Sequence, residues 1–123
     1  MSAVLRVDTV FVPATDSAAA ADWYCRIFGL ETVFVSGGYF GLRVKGAGAK
    51  STAITIFPAA ATPIAGYVTF NFFSPDPEAL RDVLMAEHLE VTAIQSGEGM
   101  RYFDFVDPSG NRINVCNFPE HIE

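Results

Sequence analysis

Thr9-Val10-Phe11-Val12-Pro13-Ala14-Thr15-Asp16 is echoed sixty residues later by Thr69-Phe70-Asn71-Phe72-Phe73-Ser74-Pro75-Asp76. Each copy opens with a strand-like run, reaches an aspartate and continues into a helix-like stretch closed by a Leu-Glu pair. In the first copy Ala20, Trp23, Tyr24 and Ile27 fall at helical spacing before Leu30-Glu31; in the second, Leu80, Val83 and Leu84 do so before Leu89-Glu90. Asp16-Ser17 and Asp76-Pro77 supply a capping carboxylate at each helix entry, and proline in a first turn loses no hydrogen bond. The chain therefore reads as one supersecondary unit written twice. Half a chain of this size cannot bury its own sheet face, so the copies are expected to pack together and enclose a cavity between them.

Working outward, Thr32 to Val35, Tyr39 to Val44 and Thr52 to Phe57 read as strands, separated by Gly37-Gly38 and Gly46-Ala47-Gly48. Val91 to Ile94, Arg101 to Val106 and Arg112 to Asn117 are predicted to play the same parts in the second copy. Asp107-Pro108-Ser109-Gly110-Asn111 forms its last turn. The predicted class is α+β: two tandem βαβββ modules forming an open, cupped mixed sheet. One domain spans 1–123, with module one at about 1–62, a Pro/Gly linker at about 59–66 and module two at about 66–123.

With 123 residues, 50% of them hydrophobic and 18% charged, the chain has the makings of a packed core. Its apolar runs are too short to cross a bilayer, and residues 1–6 lack a signal-peptide core, so a soluble, cytoplasmic protein is expected. A net charge of −6 argues against nucleic acid as a partner. Cys25 and Cys116 are too few and too far apart for a metal ribbon, and a structural role is expected for both.

Trp23-Tyr24-Cys25-Arg26-Ile27-Phe28-Gly29-Leu30-Glu31 after the first strand, and Tyr102 to Arg112 at the closing hairpin, together resemble the vicinal oxygen chelate superfamily. That superfamily comprises glyoxalases, extradiol dioxygenases, fosfomycin-modifying enzymes and bleomycin-resistance proteins. The resemblance implies that metal ligands, where a member uses them, stand at the positions held here by Thr9, Thr55, Thr69 and Asn114. Hydroxyls and an amide do not balance a divalent charge, so no metal and no cofactor are expected, and no catalytic residue is assigned. Asp8 would enter the cavity only through a one-residue register slip, and His88, at a helix end, and His121, in the final tail, lie on no cavity strand, so ordinary surface roles are expected for both histidines.

Strand alternation places Thr9 with Phe11, Thr69 with Asn71 and Phe73, and Arg112 with Asn114 on faces away from the helices. The candidate ligand-binding set is Thr9, Phe11, Phe40, Thr55, Phe57, Thr69, Asn71, Phe73, Arg112 and Asn114, with Arg43 and Arg101 as possible carboxylate anchors. The expected function is metal-independent binding of an aromatic or amphipathic small molecule, similar to the bleomycin-resistance branch, whose members are homodimers. A metal-dependent lyase or dioxygenase is the alternative. Acid–base chemistry through Asp104 or Glu98 is a more remote one.

Overall fold

The computed structural model describes residues 3–61 and 67–117. The chain divides into two compact units, Met1–Thr62 and Pro63–Glu123. Residues 62–66 of the expected linker, and His121, lie outside the described residues.

In the first unit β1 (Thr9–Ala14), α1 (Ser17–Phe28), β2 (Leu30–Ser36), β3 (Tyr39–Val44) and β4 (Ala53–Pro58) follow in order. The second unit repeats that order: β5 (Phe70–Phe73), α2 (Pro77–Ala86), β6 (Gln95–Gly97), β7 (Met100–Val106) and β8 (Arg112–Asn117). Each forms an open four-stranded mixed sheet, β1-β4-β3-β2 and β5-β8-β7-β6, so the duplication read from the sequence is a duplication of topology. The opening strand pairs parallel with the closing strand, and the remaining pairs are antiparallel.

Both helix entries are capped as read. The Ala19 amide donates to Asp16 Oδ1 and the Ala79 amide to Asp76 Oδ1, each at 3.1 Å. At the exits Gly29 (φ 68°) and His88 (φ 62°) both adopt left-handed backbone, so a histidine stands in a conformation that its counterpart fills with glycine. His88 is exposed at this exit and lies on no strand.

Each helix covers one face of its own sheet. Val12, Leu42, Ile54 and Ile56 pack beneath α1 with Trp23 and Tyr24, whose rings meet edge to face at 5.0 Å. In the second unit Phe103, Phe105, Ile113 and Val115, each no more than 1% exposed, form that layer with Leu84. The last turn closes on Asp107, which accepts from the amides of Ser109 (3.0 Å) and Asn111 (2.8 Å) and from Asn111 Nδ2 (3.1 Å).

One strand is displaced from its predicted position. Residues 91–94 contribute only an isolated bridge, Val91 to Phe105, and the strand runs from Gln95 to Gly97. Glu98 and Gly99, both at positive φ, make the tight turn that fixes this register, and apolar content alone pointed to the wrong stretch.

Candidate functional site

The face of each sheet turned away from its helix carries the candidate residues. In the first unit the parallel register sets Thr9 opposite Ala53, Phe11 opposite Thr55 and Pro13 opposite Phe57. Gly41 lies opposite Thr55 on the other side of β4. Thr9, Phe11, Thr55 and Phe57 therefore share one face with Tyr39, Gly41 and Arg43.

Phe40 does not belong to this set. It pairs with Ile56, a fully buried residue of the helix-side layer, so alternation turns Tyr39 rather than Phe40 to the open face. Sequence reading also missed Phe34. A β-bulge between Thr32 and Phe34 brings Phe34 opposite Gly41, where its ring covers the space a side chain would take. Continuous pairing would have set Phe34 opposite Phe40 on the helix side.

These residues line an open depression of about 380 Å³ bounded by Asp8, Thr9, Phe11, Phe34, Tyr39, Arg43 and Thr55. Phe11, Phe34 and Tyr39 are 57%, 47% and 42% exposed, so they line this surface rather than fill a core. Phe57 joins the row, edge-on to Phe11 at 6.3 Å and stacked with Tyr39 at 6.0 Å. At the floor the Thr9 and Thr55 hydroxyls are 2.8 Å apart, and Thr9 also reaches the Ala53 carbonyl at 3.1 Å. If Thr9 donates to that carbonyl, Thr55 donates to Thr9 and keeps lone pairs for a ligand. If Thr9 donates to Thr55, the Thr55 proton is free. The pair thus offers either a donor or an acceptor.

In the second unit Asn71 lies opposite Asn114, Phe73 opposite Cys116, and Asp104 opposite Asn114. Asp104 accepts from Arg112 Nε at 2.8 Å and from Asn114 Nδ2 at 2.9 Å, so its charge is balanced within the sheet. Asn71 Nδ2 donates to Cys116 Sγ at 3.4 Å. Burial pushes the Cys116 thiol above its ordinary pKa, partly offset by that hydrogen bond. Thr69 immediately precedes β5, its amide bonded to the Arg112 carbonyl at 2.8 Å. Arg101 belongs to the other face. Its Nε lies 3.1 Å from Glu78 on α2, a charge contact whose N–H is not aimed at the carboxylate.

Aligned through their registers, the two faces correspond residue by residue. Phe11, Tyr39, Gly41, Arg43, Ala53, Thr55 and Phe57 answer to Asn71, Tyr102, Asp104, Val106, Arg112, Asn114 and Cys116. The first is aromatic with an arginine at its edge; the second is amide-rich and neutralises its own arginine.

Tested against a divalent metal, the donor set does not fit. Thr9 and Thr55 are neutral and bonded to each other, the Asn114 amide nitrogen is turned to Asp104, and that carboxylate is engaged by Arg112. Among the described residues no three His, Cys, Asp or Glu side chains converge. Nor is any helix among them long and apolar enough to cross a membrane.

The model of the Glyoxalase/Bleomycin resistance protein/Dioxygenase superfamily matches residues 6–115, and the chain belongs to that superfamily. No match was found among curated proteins. Solved structures of similar fold include TnmS3, an antibiotic binding protein from Streptomyces sp. CB03234, with a TM-score of 0.76 and 20% identity over 97% of this chain and 100% of that one. A superfamily member from Sphaerobacter thermophilus DSM 20745 gives 0.77 and 19% over 93% and 98%. Lactoylglutathione lyase from Agrobacterium tumefaciens gives 0.70 and 20% over 94% and 96%. At these identities the likeness is one of fold.

Proposed function

We infer that this protein is a metal-independent binder of an aromatic or amphipathic small molecule, and that it acts without a catalytic residue of its own. The observation that carries the reading is the depression of the first unit, where exposed rings surround a neutral hydroxyl pair. Rings contribute apolar contact, and one or two polar groups orient the ligand, which is the usual composition of a small-molecule site. Binding roles for Thr9, Phe11, Thr55 and Phe57, and for Thr69, Asn71, Phe73, Arg112 and Asn114 on the second face, belong to the same proposal. The antibiotic-binding relative of similar fold supports sequestration as the purpose. A homodimer, a single-domain organisation and a cytoplasmic location are part of this reading.

The competing lyase or dioxygenase chemistry needs a Lewis acid, and the neutral donor set counts against it. Two measurements on protein purified without chelator decide between the readings. A library of aromatic acids, amides and cationic antibiotics is screened by NMR, with hits expected to shift the amides of Thr9, Phe11, Tyr39 and Thr55. Elemental analysis is expected to find no stoichiometric metal. About one tightly held zinc or iron per chain, or hits that leave those amides unmoved, overturns the assignment.

A further inference from the structure

We propose that the depression of the first unit selects planar aromatic carboxylates, with Arg43 as the anion anchor. This rests on the binding reading above and adds the charge of the ligand to it.

Three arginines project from the strands, and they differ in how their charge is met. Arg112 is paired with Asp104 at 2.8 Å and Arg101 with Glu78 at 3.1 Å. Arg43 has no ion pair among the described residues. Its Nε donates to the Ser51 carbonyl at 3.2 Å, which fixes the guanidinium and leaves the two terminal nitrogens without a partner among the described residues. It is half-buried, so its remaining N–H groups sit in a partly desolvated setting where a charged hydrogen bond is strengthened. The other charged group lining the depression, Asp8, is met by Arg6 at 3.2 Å. Glu31 is Arg43's cross-strand neighbour, yet no ion pair joins the two. Arg43 also borders a second hollow of about 360 Å³ lined by Glu31, Val33 and Gly46. That hollow has no aromatic ring, so of the two it is the larger depression that brings rings and cation together.

Correspondence between the units sharpens the point. The place of Arg43 is taken in the second unit by Val106, and Arg112, the arginine on that unit's open face, stands next to an acid. Duplication alone thus does not account for Arg43. The terminal edge of a guanidinium matches a carboxylate with two parallel N–H···O bonds. A flat ring attached to that carboxylate then lies along Phe34, Tyr39 and Phe11.

The test compares 2-naphthoate with its neutral isostere 2-naphthamide, titrated by NMR into the full chain. Wild type is expected to bind the acid about tenfold or more tighter than the amide, as a charge-assisted bidentate pair implies. Arg43→Gln should erase that preference and Arg43→Lys should keep part of it. Arg101→Gln, on the helix side of the other sheet, should retain it in full. Amide spectra of each variant establish that it is folded before its affinity is read. Equal affinity for the two probes in wild type, or a preference that survives Arg43→Gln, overturns the anion anchor. If naphthamide binds and Phe34→Ala weakens it without any acid preference, the site stands and only the anchor falls. If neither probe binds, both fall.

Discussion

Replacing Asp107 with alanine should strip the last hairpin of the acceptor that closes it. The Asp107 carboxylate takes the Ser109 and Asn111 amides and the Asn111 side chain. Asp107 and Asn111 are 3% and 2% exposed, so water cannot step in at the two Asn111 donors, whereas the half-buried Ser109 amide can be rescued. An orphaned buried donor costs about 1–3 kcal/mol, so with two of them Asp107→Ala should lose about 2–6 kcal/mol, a large share of the roughly 5–15 kcal/mol that holds a typical domain. Asp107→Asn keeps Oδ1 for both backbone amides but sets an NH₂ against Asn111 Nδ2, and should cost only about 1–2 kcal/mol. The assay is urea unfolding followed by circular dichroism, with hydrogen exchange of the β7 and β8 amides. Trp23 fluorescence alone is unsuitable, since that residue belongs to the first unit. A loss below about 1 kcal/mol for alanine, or an asparagine variant no more stable than it, refutes the reasoning.

Gly41→Ala puts a methyl into the Phe34 ring. Phe34 is half exposed and can swing away, so its lost packing of about 1 kcal/mol is offset by the gain of removing a strand glycine, and stability should change by less than about 1 kcal/mol. Aromatic probes should nevertheless bind several-fold more weakly in a titration, and unchanged binding would clear Phe34 of any role. Asn114→Asp sets a second carboxylate where the amide lies 2.9 Å from Asp104. The variant should be destabilised at neutral pH and recover as pH falls and the pair takes up a proton, read from thermal unfolding at several pH values. Because the folded Cys116 pKa is raised, the unfolded thiol ionises first. Its contribution is complete below the unfolded value of about 8.5 and declines as pH climbs toward the folded one. The stability difference between wild type and Cys116→Ala should narrow over that alkaline range, and a constant difference contradicts it.

Much of the architecture could be read from spacing because both copies obey the same short-range rules. The Asp16 and Asp76 caps, the helical stripes and the strands beginning at Thr9 and Arg112 each depend on local chemistry. The shared face of Thr9 and Phe11 followed from alternation along one uninterrupted strand, and Thr55 from its match to Asn114 in the other copy. Errors arose where register depends on a partner strand. Phe40 is apolar and lies in β3, so nothing local separates it from Tyr39; only its pairing with Ile56 does. Phe34 was hidden by a bulge, and a one-residue slip reverses every later side chain. Arg43 and Arg101 looked equivalent in sequence, and it took the helix-side position of Glu78 to tell them apart.

The bulge in β2 also bears on how such a protein diversifies. β2 lies at the edge of its sheet, and its register against β3 shifts at Val33. Restoring continuous pairing there, with Val33 opposite Gly41, would set Phe34 opposite Phe40 on the helix side and take its ring out of the hollow, while the pairings of β4 with β1 and β3 stay as they are. A change in how this edge strand pairs can therefore alter the ligand-facing surface without touching the strand pairs that hold the helix-side layer.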